Sequence, residues 1–261
     1  MPDYRQIFAL EALPLNPRTR FAPSPTGYLH LGHLLHLVYL FDIAQALQAR
    51  IVLRIEDHDR QRCRFEYEAS ILADLQWLGY AASPLWASSA VSRQSDHRER
   101  YDSMLAKLKQ QGRLYACDCS REAIRARQVA GHYDGHCRQR GLSFVPGQTS
   151  WRLNLPEVAG GDFSVFDRKG NYTYLFCSGI DDLEEEIDLV VRGMDLIEKT
   201  AVQQAFRQLL GAKKDLVYYH HPLMFDAQGQ KLSKRFLADS LRSLAGPSGD
   251  KAALFAQLLL T

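Results

Sequence analysis

Two histidines near the start of the sequence, His30 and His33, flank Leu31 and Gly32 and follow the run Arg20-Phe21-Ala22-Pro23-Ser24-Pro25-Thr26-Gly27. Imidazoles at a turn opening onto a helix can donate to phosphate oxygens. The helix N-terminus adds backbone N–H groups and partial positive charge, and Gly32 lets a nucleotide approach closely. Towards the other end, Lys231 and Lys234 flank Leu232 and Ser233 and precede Arg235. Two ammonium groups on a polar loop can follow charge as it builds on triphosphate oxygens. Between these runs, Cys117, Cys119 and Cys137 crowd into one short segment. Three thiolates and one harder donor complete a closed tetrahedral zinc site, and by donor chemistry the fourth is His132 or His136, imidazole being a commoner zinc ligand than phenolate.

The run from Arg20 to His33 resembles the HIGH motif of class I aminoacyl-tRNA synthetases in its glutamate- and glutamine-specific form, and Lys231-Leu232-Ser233-Lys234-Arg235 resembles that family's KMSKS signature. The likeness extends over residues 18–235. It implies a glutamate pocket built from Arg20, Phe21, Ala22, Pro23, Ser24, Glu56, Tyr174 and Arg192. Arginine forks suit a side-chain carboxylate, Glu56 can receive an α-ammonium, and Tyr174 would cap the pocket. The resemblance also implies an ATP site from His30, Gly32, His33 and Lys234, and catalysis by His30, His33, Lys231 and Lys234 with Mg2+ accompanying ATP. It implies one structural Zn2+ held by Cys117, Cys119, Cys137 and, as fourth ligand, Tyr133. Two departures stand out: Leu175 follows Tyr174 where asparagine is expected, and Cys177-Ser178-Gly179 occupies what is usually an apolar strand.

The elements that must carry these groups read as alternating strands and helices. A strand over 18–22 runs into the Pro- and Gly-rich turn, and apolar residues at helical spacing predict a helix over 34–49. A β-rich run over 51–55 precedes a helix over 65–78 that Gly79 stops. A helix over 96–110, a β-rich stretch over 151–174, a helix over 200–210, a strand over 216–220, a polar loop over 226–235 and a short helical tail follow. Such alternation points to a parallel sheet. The expected architecture is a Rossmann-like α/β catalytic domain in two halves, 1–114 and 166–261, with an inserted zinc-binding lobe at 115–165. Only 26 residues follow Arg235, too few for an anticodon-binding region, so none is expected.

At 261 residues and 46% hydrophobic content the chain can bury a full core. Its 32 basic and 30 acidic residues give a net charge of +2, so contact with nucleic acid must be local. Residues 113–140 hold six arginines against three acidic residues, a patch that can meet phosphates or simply solvate an exposed lobe. No stretch approaches the roughly 20 apolar residues of a membrane span, and no basic-then-apolar leader opens the sequence. A cytoplasmic monomer is expected. The five cysteines are an odd number, and Cys63 and Cys177 read as ordinary buried or half-buried thiols.

A catalytic domain standing alone with this cysteine segment resembles the members of the family that attach glutamate to the queuosine base of tRNA(Asp) at its wobble position. The expected activity is thus ATP-dependent formation of glutamyl-adenylate without tRNA, then transfer to that base. Two other readings accompany it: a minimal enzyme charging the 3′ end of tRNA(Glu), and a non-catalytic paralogue that binds tRNA.

Overall fold

A computed structural model describes residues 13–127, 133–156, 158, 161–225, 240–246 and 248–258. Strand β1 (Arg18–Phe21) leads through the Pro-rich turn to helix α1 (Leu31–Leu47), and β2 (Arg50–Ile55) leads to α2 (Phe65–Leu78). A short β3 (Ser92–Arg93), a 3-10 turn (Gln94–His97) and α3 (Arg98–Gln110) come next. β1 pairs parallel with β2 from Arg18 opposite Arg50 to Phe21 opposite Leu53, and β2 pairs parallel with β3.

The chain then forms an antiparallel sheet from β4 (Leu114–Cys117), β5 (Ser150–Leu153) and β6 (Ser164–Phe166), with a short α4 (Arg121–Ala126) between the first two strands. Alternation resumes with α5 (Tyr174–Glu184), β7 (Leu189–Gly193), a 3-10 turn (Met194–Lys199), α6 (Thr200–Leu209) and β8 (Val217–His221). β7 and β8 pair parallel along their whole length. β7 lies against β1, where the Asp188 N–H donates to the Arg18 carbonyl at 2.9 Å. Two short helices, α7 (Leu241–Leu244) and α8 (Lys251–Leu258), close the described chain.

Local sequence explains these elements. In α1 the buried residues Leu31, Leu34, Leu37, Leu40, Ile43 and Ala44 recur about every third position, a helical stripe facing the sheet. Leu189, Val190 and Val191 of β7 are buried together, as in a strand covered on both faces. Gly79 stops α2 in the left-handed region, φ 91°, its N–H returned to the carbonyls of Leu75 and Gln76.

One apolar cluster joins α1, β1, β2 and β7; a second joins β5 and β6 to α3, α5 and α6. Gly179 allows a close approach of α5 to α6, because a Cβ there would lie 2.7 Å from the ring of Phe206.

Residues 177–179 are not a strand but the middle of α5. From Phe176 to Asp182 every residue of this helix is buried, and its polar residues Ser178, Asp181 and Asp182 meet partners from other elements and not solvent. α1 starts at Leu31, a turn before the apolar pattern becomes legible. The loop at 226–235, with Lys231 and Lys234, lies outside the described residues, as does His132.

Candidate active site

The residues that follow β1, β2, β7 and β8 at their carboxyl ends enclose a cavity of about 410 Å³. In open parallel sheets this is where ligands bind, because the exits of neighbouring strands diverge there and leave a crevice. Arg20, Phe21, Ala22, Pro23, Ser24, His30, Gly32, His33, Glu56, Tyr174 and Arg192 all line it. The Glu56 N–H donates to the Pro23 carbonyl at 3.0 Å and ties the exit of β2 to that of β1.

His30 and His33 build the start of α1. His30 Nδ1 accepts from the Gly32 N–H at 3.1 Å, and His33 Nδ1 accepts from the His30 N–H at 3.2 Å, a reciprocal cap over the first turn. An accepting Nδ1 is unprotonated, so the neutral imidazole carries its proton on Nε2. Each ring is thereby set as a donor. A Cβ at position 32 would meet the His30 ring at 3.0 Å, so a larger residue there would crowd the cap as well as any close ligand.

The pocket charges are held by a buried network. Arg20 donates from Nε to Asp182 Oδ1 at 3.3 Å and from Nη1 to the Val191 carbonyl at 3.3 Å. Arg54 has no exposure and donates to Asp182 at 2.8 Å, Glu185 at 2.7 Å and Glu56 at 3.3 Å. Arg192 gives Nε to His220 at 3.2 Å, Nη1 to Gln203 at 2.7 Å, and Nη2 to Thr200 at 2.8 Å and the Leu196 carbonyl at 3.1 Å. Burial pushes the Glu56 carboxyl up from its ordinary value even though Arg54, His58 and Arg20 pull it down. Burial and the Glu56 charge push the Tyr174 phenol up as well, so it stays protonated. Glu56 therefore sits where an incoming cation would relieve its desolvation.

Several members of this site carry no signal of their own in the sequence. His221 donates from Nδ1 to the Pro222 carbonyl at 2.8 Å and its Nε2 stands 3.2 Å from His36 Nδ1. Both rings line the cavity. Burial beside His221 and Arg20 lowers His36 to about 3, so it is neutral. His36 lies one turn beyond His33, the only trace of it in the sequence. Arg54 is visible beside Glu56, whereas Asp182 and Gln203 join the site only through space.

The Sγ atoms of Cys117, Cys119 and Cys137 all lie within 4.8 Å of one another. Cys119 and Cys137 are 3.5 Å apart, and Tyr133 Oη stands 3.7 and 3.6 Å from Cys117 and Cys119. Ligands bound to zinc at about 2.3 Å with tetrahedral angles stand roughly 3.8 Å apart, so this donor set fits the ion. His136 is not among the clustered donors; it faces Arg127 at 3.2 Å. Asp118 accepts from Arg140 at 2.6 Å and lies 3.4 Å from Cys137 Sγ. Of the six arginines in this segment, Arg127, Arg138 and Arg140 pair with Asp134, Asp162 and Asp118, which subtracts from the positive patch expected of it.

The family described as tRNA synthetases class I (E and Q), catalytic domain, matches residues 17–141 and 151–259. The chain belongs to that family. A glutamyl-Q tRNA(Asp) synthetase of Rhodobacter capsulatus is 35% identical over 87% of this chain and 93% of its own length. Glutamate--tRNA ligase 2 of Gluconobacter oxydans is 38% identical over 87% of this chain but only 57% of its own. Among solved structures, a glutamate tRNA ligase from Elizabethkingia meningosepticum in complex with its amino acid matches with a TM-score of 0.66 at 26% identity, covering 84% of this chain and 52% of that one. No helix among the described residues is long and apolar enough to cross a membrane.

Proposed function

We propose that this chain activates L-glutamate with ATP to glutamyl-adenylate without tRNA, then passes glutamate to the queuosine base of tRNA(Asp). The observation that carries the first half is a single cavity in which Arg20 and Arg192 face Glu56 beside the two capped imidazoles. Glutamate offers a side-chain carboxylate to the arginines and an α-ammonium to Glu56, whose carboxyl burial pushes up despite its pairing with Arg54. Its α-carboxylate then attacks the α-phosphorus of ATP and pyrophosphate leaves. The Nε2–H groups of His30 and His33 donate to phosphate oxygens, while Lys231 and Lys234 follow the charge that builds on the leaving group. ATP enters with Mg2+. No protein nucleophile takes part, so the chain contributes position and charge.

In the second step a hydroxyl of the queuosine cyclopentene ring attacks the mixed anhydride and AMP leaves. The support for this acceptor is the Rhodobacter relative of that name, matched over 93% of its length. Cys117, Cys119, Tyr133 and Cys137 would hold Zn2+ as a structural cross-link of the lobe. The Gluconobacter ligase favours a second reading, charging of the 3′ end of tRNA(Glu).

Glutamate-dependent exchange of pyrophosphate into ATP without tRNA tests activation, and its absence defeats the proposal. Labelled glutamate is then offered to tRNA(Asp) with and without queuosine, beside tRNA(Glu), with periodate-blocked 3′ ends. Labelling that needs queuosine and survives the block supports the base as acceptor; labelling of tRNA(Glu) that the block abolishes supports the second reading.

A further inference from the structure

Asp182 lies near the carboxyl end of α5, has no exposure and is not part of the cavity wall. Yet three of the charged groups that line the cavity, Arg20, Glu56 and Arg192, all trace back to its two oxygens. Oδ1 accepts from Arg20 Nε at 3.3 Å and from Arg54 Nη2 at 2.8 Å, and the same Arg54 nitrogen reaches Glu56 at 3.3 Å. Oδ2 accepts from Gln203 Nε2 at 3.3 Å, and Gln203 Oε1 accepts from Arg192 Nη1 at 2.7 Å.

The chemistry of these groups makes the arrangement directional. An ionised carboxylate can only accept, so Gln203 must turn its NH2 towards Asp182 and is left presenting its carbonyl oxygen to Arg192. Burial alone pushes the Asp182 carboxyl up, but Arg20 and Arg54 hold it below its ordinary value, so the accepting form is the one present. The ion pairs point the same way. Arg20 and Arg54 meet Glu56, Asp182 and Glu185 beneath the cavity, while Arg192 is held by neutral acceptors. Replacing Asp182 by its amide would remove one charge; with its oxygen kept towards Arg20 and Arg54, its NH2 would face Gln203, which would flip so that its own NH2 confronts Arg192.

We propose that Asp182 is a positioning residue that sets the selectivity of this pocket for a carboxylate side chain, acting through Arg20 directly and through Gln203 on Arg192. This rests on the reading that the pocket takes glutamate. Gln203 is the second positioning residue of the same device. Neither residue touches substrate, so both act on amino-acid recognition and leave the nucleotide side of the cavity alone.

The test is pyrophosphate exchange with wild type, Asp182→Asn, Gln203→Leu and the exchanged pair Asp182→Asn with Gln203→Glu, measuring KM for glutamate and ATP separately and competition by glutamine. Loss of one charged hydrogen bond corresponds to about tenfold or more in affinity. Asp182→Asn and Gln203→Leu are expected to raise the glutamate KM by at least about tenfold, to leave the ATP KM within about twofold, and to narrow the preference for glutamate over glutamine. In the exchanged pair, the amide now at position 182 can donate to the carboxylate now at position 203, which still accepts from Arg192, so part of the glutamate KM should return. Equal changes in the two KM values, or an unchanged glutamate preference in folded variants, would overturn the proposal. Should Asp182→Asn fail to fold, Gln203→Leu decides alone. Wild type lacking glutamate-dependent exchange would defeat the functional reading instead, a result distinct from either outcome.

Discussion

The cavity and the thiol cluster both gather polar groups away from water, but they are held in opposite ways. In the cavity Arg20, Glu56 and Arg192 already have an opposite charge or a hydrogen-bond acceptor from the protein, supplied by β2, β7, α5 and α6 around them. In the cluster three thiols and a phenol crowd together, with Arg152 over the Tyr133 ring and the Asp118–Arg140 pair beside Cys137. The first arrangement is complete before its ligand arrives. The second becomes a strong cross-link only with a cation at its centre. Removing the shared cation of the cavity floor should therefore destabilise the whole fold, and substitutions in the cluster should damage the lobe alone.

The largest effect expected is from Arg54→Met, which strands Glu56, Asp182 and Glu185 without their shared cation. Breaking a buried ion pair this way costs about 3–5 kcal/mol, to be read from urea denaturation. A loss below about 1 kcal/mol would show that the cavity floor is not preformed in the sense described.

Cys119→Ala comes next. It should abolish stoichiometric zinc by metal analysis and expose the segment around 117–141 to limited proteolysis, while glutamate-dependent exchange stays within about twofold. A global loss of stability would erase the contrast between the two regions.

Gly179→Ala tests the packing under the cavity. Its Cβ would press on Phe206 at 2.7 Å, and overpacking of this kind costs about 1–3 kcal/mol.

The smallest effect is a pH dependence. Burial raises Glu56 in the folded state, so its contribution to stability is fully present below the ordinary value of 4.5 and is lost as pH rises through the raised value. Glu56→Gln should remove that dependence, and the stability of the variant relative to wild type should climb across that window. An unchanged difference from acid to neutral pH would mean that Glu56 is better solvated than its burial implies.

What the sequence disclosed follows from the range of the forces involved. The helix over 65–78 with Gly79 behind it matches α2 because a stop signal and an apolar stripe are local. The residues of the Pro-rich turn, Glu56, Tyr174 and Arg192 share one cavity, and the thiols meet Tyr133, because recurrent local motifs carried those residues. Asp182, Gln203 and His36 were invisible as site members, since each gains its meaning from a partner 21 or more residues away. The strand expected at 177–179 failed for a related reason: the polar residues of this helix are answered by distant elements, which a local pattern does not show.

The reciprocal cap at the start of α1 divides each imidazole into two offices, folding on Nδ1 and ligand donation on Nε2. The two can be separated genetically. Asparagine places an acceptor near the Nδ1 position and lacks the reach of Nε2, whereas glutamine extends an N–H towards the Nε2 position and gives up the short return to the backbone. At His30 and His33 the asparagine alleles should keep the helix start and lose the phosphate grip, and the glutamine alleles should loosen the helix start while retaining part of that grip.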